Sequence, residues 1–354
     1  MSKVIFAGPR LDEVGGVSFY CKAIMTSYPG DIIYFPFPLS LRRSPGKFIT
    51  VLIDFMRQLY REREANVHLN TSLNFAAITR DAFFLLIALS FGRSVVVFFH
   101  GWEQSFANSL TGLKKRLFKQ LFDRARLLIV LAAPFKKSLH EFGFTTRITV
   151  ETTCYPPDLH RSRESSTIRS KSLKNGPKIL FLSRIVKEKG VFELVDACKL
   201  LCARFPFLTL HVAGDGPDIS LLREYVASQH VEFVSFHGSI TGQRKNDLYG
   251  EAHLFCLPTY YGEGLPVSIL EAMYFGLPVV TTRAGGIDGI FSDGLNGLFV
   301  EARNVLDIAN KIELLLTNPQ QIESISLYNI AYAERFSSKA VAQRLASLHD
   351  SLEG

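Results

Sequence analysis

Short, nearly continuous apolar runs alternate with longer stretches of helical periodicity: VIFAG at 4–8, DIIYF at 31–35, NVHLN at 66–70, SVVVFFH at 94–100 and RLLIVLA at 126–132. A strand buried on both faces has no polar side to alternate with, so this pattern predicts a parallel sheet covered by helices on both faces. From 157 to 177 the chain reads PDLHRSRESSTIRSKSLKNGP, a polar, turn-rich stretch too poor in apolar residues to bury much surface. The pattern then restarts with KILFLS at 178–183, LTLHVAG at 208–214, VEFVSFHG at 231–238, LFCLPT at 254–259, PVVTT at 278–282 and GLFV at 297–300. The expected fold is α/β, with two Rossmann-like doubly wound domains facing a central cleft. An N-terminal domain would cover 1–160, a linker 161–177 and a C-terminal domain 178–330. A C-terminal helix at 331–354 would pack back toward the N-terminal domain. In open α/β sheets ligands sit beyond the carboxyl ends of strands, so function is sought there.

The length of 354 residues suits two cores rather than one. A hydrophobic fraction of 47% with 21% charged residues excludes a disordered chain. The five cysteines (Cys21, Cys154, Cys198, Cys202, Cys256) are scattered and lack metal-ligand spacing. They read as reduced thiols in a cytoplasmic protein, and no metal is expected. MSKVIFAG reads as a first strand rather than a signal peptide. The most apolar stretch, Ala82 to Phe99, is cut by Gly92-Arg93 into pieces well short of the roughly 20 residues a membrane span needs, and predicts a buried helix followed by a buried strand.

Charge changes the picture for the first half. Residues 1–175 hold 25 Lys+Arg against 13 Asp+Glu, a net of +12, while the remainder carries −5. The first half therefore faces something anionic. No nucleic-acid motif or basic–aromatic interleaving is present, so nucleic acid is not expected; a phospholipid surface or a phosphate-bearing acceptor fits instead.

The most specific chemistry lies in Tyr261-Gly-Glu-Gly-Leu-Pro-Val-Ser-Ile-Leu-Glu271, where Glu263 and Glu271 stand eight residues apart. Pro266 suits a helix start, so Gly264 and Leu265 would offer free N–H groups to a phosphate, and Glu271, two turns on, would accept hydrogen bonds from a ribose diol. A pair of solvated glutamates is the bland alternative; the apolar neighbours Leu270, Ala272 and Met273 argue against it. After strand KILFLS come Arg184 and Lys189-Gly190, a guanidinium fork and an ammonium suited to neutralising a diphosphate. Gly15-Gly16 follows the first strand and His100 ends the strand SVVVFFH.

Together these motifs resemble the retaining glycosyltransferases of the two-Rossmann GT-B architecture, the group numbered family 4, also described as glycosyl transferases group 1. The resemblance spans most of the chain and is strongest over about 178–300. It implies that Glu263 contacts donor sugar hydroxyls, Glu271 the ribose, Arg184 and Lys189 the diphosphate, and His100 the donor sugar, with Gly15, Gly16, Gly264 and Leu265 on the donor side. Glu103 departs from the acidic residue often placed directly after this histidine and is assigned only an acceptor-side role. The implied reaction moves a sugar from a nucleoside-diphosphate sugar to a hydroxyl of a glycan or lipid-linked acceptor, in cell-surface polysaccharide or glycolipid biosynthesis, without metal or cofactor.

The segment Leu113 to Arg126 places Leu113, Leu117, Phe118, Leu121 and Phe122 on one helical face and Lys114, Lys115, Arg116 and Lys119 on the others. This predicts contact with an anionic membrane at the inner face of the cell membrane, against an ordinary helix packed on its own sheet. Competing activities of the same architecture are a sugar-nucleotide epimerase, a phosphorylase and a non-catalytic nucleotide-binding scaffold. A dinucleotide oxidoreductase is disfavoured because no GxGxxG follows a strand.

Overall fold

A computed structural model describes residues 3–13, 15–37, 45–161, 176–262 and 264–352. The chain forms two compact units. One comprises Met1–Pro157, Gly262–Leu265 and Phe336–Gly354; the other comprises Asp158–Tyr261 and Pro266–Arg335.

The first unit runs β1 (Val4–Pro9), α1 (Gly16–Ser27), β2 (Ile32–Phe37), α2 (Pro45–Arg61), β3 (Asn66–Leu73), α3 (Phe75–Ser90), β4 (Val95–Trp102), α4 (Gln104–Ser109), α5 (Gly112–Phe122), β5 (Leu127–Val130), α6 (Ala133–Glu141) and β6 (Ile148–Val150). Its strands pair in parallel in the order β2-β1-β3-β4-β5-β6. Every residue of β1 and β5 is buried, as the unbroken apolar runs require. β6 was not legible as a strand: it is three residues long, at the sheet edge, with Val150 exposed.

Two expectations are corrected here. The run at 94–100 does not end the strand at His100; β4 continues to Trp102 through an irregularity. Thr71 pairs with Phe99 and Ser72 with Gly101, so His100 has no partner on β3 and sits in a bulge, a device that re-aims one side chain. The apolar helix before β4 is not wholly buried, since Phe83 and Leu86 on α3 are exposed.

The second unit runs β7 (Lys178–Leu182), α7 (Val191–Leu201), β8 (Thr209–Ala213), α8 (Ile219–Ser228), β9 (Val234–Gly238), α9 (Gly242–Glu251), β10 (Leu254–Leu257), α10 (Val267–Tyr274), β11 (Val279–Thr281), β12 (Gly297–Phe299), α11 (Val305–Leu316) and α12 (Pro319–Ala333). The parallel order is β12-β11-β10-β7-β8-β9. Strand order reverses between β7 and β10, the kind of position beyond whose carboxyl ends open α/β sheets bind ligands.

The last helix, α13 (Ser338–Asp350), belongs to the first unit and packs on α1. Ser27 donates to Ser338 at 2.9 Å, and Arg344 grips Glu151 at 2.8 Å. A buried polar chain crosses beneath it: the Tyr28 hydroxyl meets His349 Nδ1 at 2.7 Å, and His349 Nε2 meets His68 Nδ1 at 2.9 Å. No helix among the described residues is long and apolar enough to cross a membrane.

Candidate functional site

In the second unit the loops leaving β7 and β10 lock together. Tyr260 N–H donates to Glu188 O at 2.8 Å and Thr259 Oγ1 to the same carbonyl at 3.3 Å. Gly190, at φ 77°, closes the turn; a Cβ there would lie 2.3 Å from Pro258 O, so only glycine fits. This packing fixes the two predicted cations in different settings. The Arg184 side chain is exposed and pairs with no carboxylate among the described residues. Lys189 is 8% exposed, with its Nζ 4.9 Å from the Tyr261 ring centre.

Glu263 lies outside the described residues. Glu271, in the second turn of α10, is 3% exposed. Its carboxylate accepts from Lys245 Nζ at 2.7 Å and from the Tyr249 hydroxyl at 2.9 Å, both on α9. Burial, and then the Glu271 carboxylate, push the Tyr249 hydroxyl well above its ordinary value, so it remains a donor. A buried carboxylate held by a cation and a hydroxyl is fixed in place, because leaving either oxygen unpaired in a dry setting is costly. Sequence reasoning missed Lys245 and Tyr249. Their spacing of one helical turn puts them on one face of an otherwise polar helix, the only sign they gave. At the end of β9 the His237 Nε2 meets His211 Nδ1 at 2.9 Å.

In the first unit the bulge aims His100 at Asn70, whose Oδ1 lies 2.9 Å from Nε2. Tyr20 and Phe98 enclose the ring, with centroids 4.4 and 4.0 Å away. Burial lowers the imidazole pKa to about 3, so the ring is neutral at physiological pH. Gly264 approaches this strand end so closely that a Cβ would stand 2.2 Å from His100 O, and Leu265 beside it is buried. Gly15 caps the start of α1 in an extended conformation and Gly16 opens the helix; a Cβ at Gly16 would meet nothing within 4 Å. The backbone there is open to a ligand, and nothing in the chain itself demands glycine. Glu103, exposed, is the residue before α4 and accepts from Ser105 Oγ at 2.8 Å.

The predicted apolar face of α5 divides. Phe118 and Phe122 are buried against Phe99, and Phe118 also against Phe144, while Leu113 (70%) and Leu117 (56%) remain exposed beside Lys114 and Arg116. The sheet takes the aromatic residues and leaves two leucines outside.

Residues 163–332 match the family described as Glycosyl transferases group 1. The chain carries a glycosyl transferases group 1 domain. That domain contains Arg184, Lys189, Glu263 and Glu271. The chain is 30% identical over 152 residues to the 2-deoxystreptamine N-acetyl-D-glucosaminyltransferase of Niallia circulans. It is 27% identical over 174 residues to the N,N'-diacetylbacillosaminyl-diphospho-undecaprenol alpha-1,3-N-acetylgalactosaminyltransferase of Campylobacter jejuni. These matches cover 43% and 49% of this chain and only 39% and 44% of those proteins. In fold, Anabaena HepE, solved in complex with UDP and glucose, superposes with a TM-score of 0.76 at 18% identity, over 99% of this chain and 100% of that one. The group 1 domain thus sits in a GT-B fold of two Rossmann-like units.

Proposed function

We propose that the protein is a retaining glycosyltransferase that moves a sugar from a nucleoside-diphosphate sugar to a hydroxyl of a glycan or lipid-linked acceptor. The observation that carries this reading is the placement of the Arg184–Lys189 loop and the loop before α10 on adjacent strands β7 and β10, where strand order reverses within the group 1 domain. That is where an open α/β sheet binds a nucleotide.

In this reading Glu271 accepts from the ribose hydroxyls, keeping its carboxylate oriented by Lys245 and Tyr249. Arg184 and Lys189 neutralise the departing diphosphate in place of a divalent metal, and no cofactor takes part. Glu263 contacts the sugar. The proton-free Nδ1 of His100 accepts from a sugar hydroxyl, and Gly15, Gly16, Gly264 and Leu265 let backbone approach the donor. The acceptor hydroxyl enters on the face the diphosphate leaves, and a diphosphate oxygen takes its proton, so catalysis rests on position and electrostatics. Glu103 stands on the acceptor side.

A lipid-linked acceptor is supported by the basic first half, by the exposed Leu113 and Leu117 next to Lys114 and Arg116, and by the diphospho-undecaprenol named for the Campylobacter jejuni relative. In this reading the protein works at the inner face of an anionic membrane, in polysaccharide or glycolipid synthesis. Cosedimentation with anionic vesicles that is unchanged by Lys114→Glu plus Lys115→Glu would count against the membrane part.

The test of the donor site is thermal unfolding with UDP, GDP and ADP, each against Glu271→Ala. A ligand at about 100 times its dissociation constant adds about 2.7 kcal/mol. One nucleotide should raise the midpoint in the wild type and much less in the variant, and the product anomer, read by NMR, should match the donor. No shift with any nucleotide and no nucleotide release from their sugars would sink the reading.

A further inference from the structure

At the end of the first sheet where strands begin lies a cavity of about 560 Å³ lined by four arginines: Arg93, Arg124, Arg126 and Arg147. Arg126 immediately precedes β5 and Arg147 precedes β6, and Val95, the first residue of β4, also lines it. His100 lies five strand residues on from Val95, roughly 17 Å at the usual rise. The cavity is therefore separate from the strand end assigned to sugar transfer, and the inference is independent of that assignment.

Among the described residues no carboxylate lines this cavity. Asp123, the acid beside Arg124, is turned away and saturated: it accepts from Thr145 and Thr146 N–H, from Thr145 Oγ1 and from Lys119 Nζ. Arg124 and Arg126 make no ion pair or side-chain hydrogen bond among the described residues, and Arg147 makes only a 3.2 Å bond to Ser351 Oγ. Arg93 spends one donor on Leu59 O at 2.9 Å, while its buried Nε has no partner among the described residues. Complementing the carboxyl ends of α3 and α5 accounts for Arg93 and Arg124. It does not account for Arg147, which follows no such helix, nor for the presence of all four around one concavity with a buried donor unpaired among the described residues.

We propose that this cavity binds a phosphate group, held by forked guanidinium bonds that relieve the mutual repulsion of the arginines. Ser94 and Ser351 line the same space. A smaller apolar cavity of about 310 Å³, lined by Met56, Tyr60 and Phe91, lies beside Leu59 and Arg93 in sequence. The phosphate can thus come from a lipid headgroup or from a free phosphate compound.

The test uses the full chain carrying Arg184→Ala and Lys189→Ala, which removes the donor loop as a competing phosphate site. Pyrophosphate binding by calorimetry and partition onto phosphatidylglycerol vesicles are measured with and without Arg124→Gln, Arg126→Gln and Arg147→Gln, three exposed positions where folding is checked by an unfolding midpoint no lower than the parent's. Lys136→Gln plus Lys137→Gln is the control for net charge. Loss of at least tenfold in pyrophosphate affinity with vesicle partition unchanged supports a free phosphate. Loss of vesicle partition, with pyrophosphate displacing the parent from vesicles, supports a headgroup. Absence of saturable pyrophosphate binding and of partition in the parent, or an equal loss in the lysine control, overturns the proposal.

Discussion

The Nε2–H of His100 points at Oδ1 of Asn70, 2.9 Å away, and Asn70 is held in that sense because its Nδ2 donates to Ala7 O at 3.1 Å. The amide orientation therefore sets the tautomer: Nε2 carries the proton and Nδ1 is a bare acceptor.

His100 should consequently not titrate in the physiological pH range. With its pKa lowered to about 3 by burial, kcat/KM should show no inflection near 6.5 that disappears in His100→Asn. Asn70→Asp would place a carboxylate against the ring, raise its pKa and introduce an acid-side loss, because protonation at Nδ1 removes the acceptor. His100→Phe should lower kcat/KM about 10- to 150-fold, the equivalent of a hydrogen bond worth about 1.5–3 kcal/mol.

Lys245 and Glu271 form a dry pair, with side chains 16% and 4% exposed. Lys245→Met should destabilise the protein by about 3–5 kcal/mol by stranding the carboxylate, and Glu271→Gln added to it should restore most of that stability while leaving donor KM high. Urea unfolding of both singles and the double, with donor KM, separates the two effects; additive stabilities would contradict the pairing.

Gly264 and Gly262 make opposite forecasts. A Cβ at 264 would lie 2.2 Å from His100 O, whereas one at 262 would lie 3.4 Å from Trp102 O. Gly264→Ala should reduce turnover at least about tenfold by moving the strand end. Gly262→Ala should be close to wild type in the same assay.

The buried histidines make the first unit acid-sensitive. Burial pushes His349 down to about 4 and His68 well below its ordinary value. Both are neutral when folded and free to protonate when unfolded, so their stabilisation is complete above about pH 6.5 and is lost as pH falls toward 4. For His349 alone the loss at pH 5.5 is on the order of 1 kcal/mol. Unfolding free energies at pH 7.5 and 5.5 should differ by at least that much in the wild type and by less in His349→Gln; an equal pH effect in the variant would refute the assignment.

Most strands were legible because burial on both faces writes unbroken apolar runs, as in β1 and β5. β6 was not, since a three-residue edge strand with an exposed valine leaves no such run. The glutamate and cation loops were legible as residue types at fixed spacings. The partners of Glu271 were not, because Lys245 and Tyr249 reach it from another helix. The bulge at His100 depends on pairing with β3, and the gathering of Arg93, Arg124, Arg126 and Arg147 depends on sheet order; neither has a local sequence signature. For α5, periodicity gave the apolar face, but only contact with Phe99 and Phe144 decides which half is covered.

The return of α13 to the first unit has a consequence for how the chain is made. On the ribosome the second unit, ending at Arg335, is fully synthesised before the helix that shields Tyr28 and His68 emerges. At 5–20 residues per second the first unit waits roughly 10–40 s with that face uncovered. The half of the protein made first is thus the half finished last, and a nascent chain stalled between the two would show its exposed surface to chaperones.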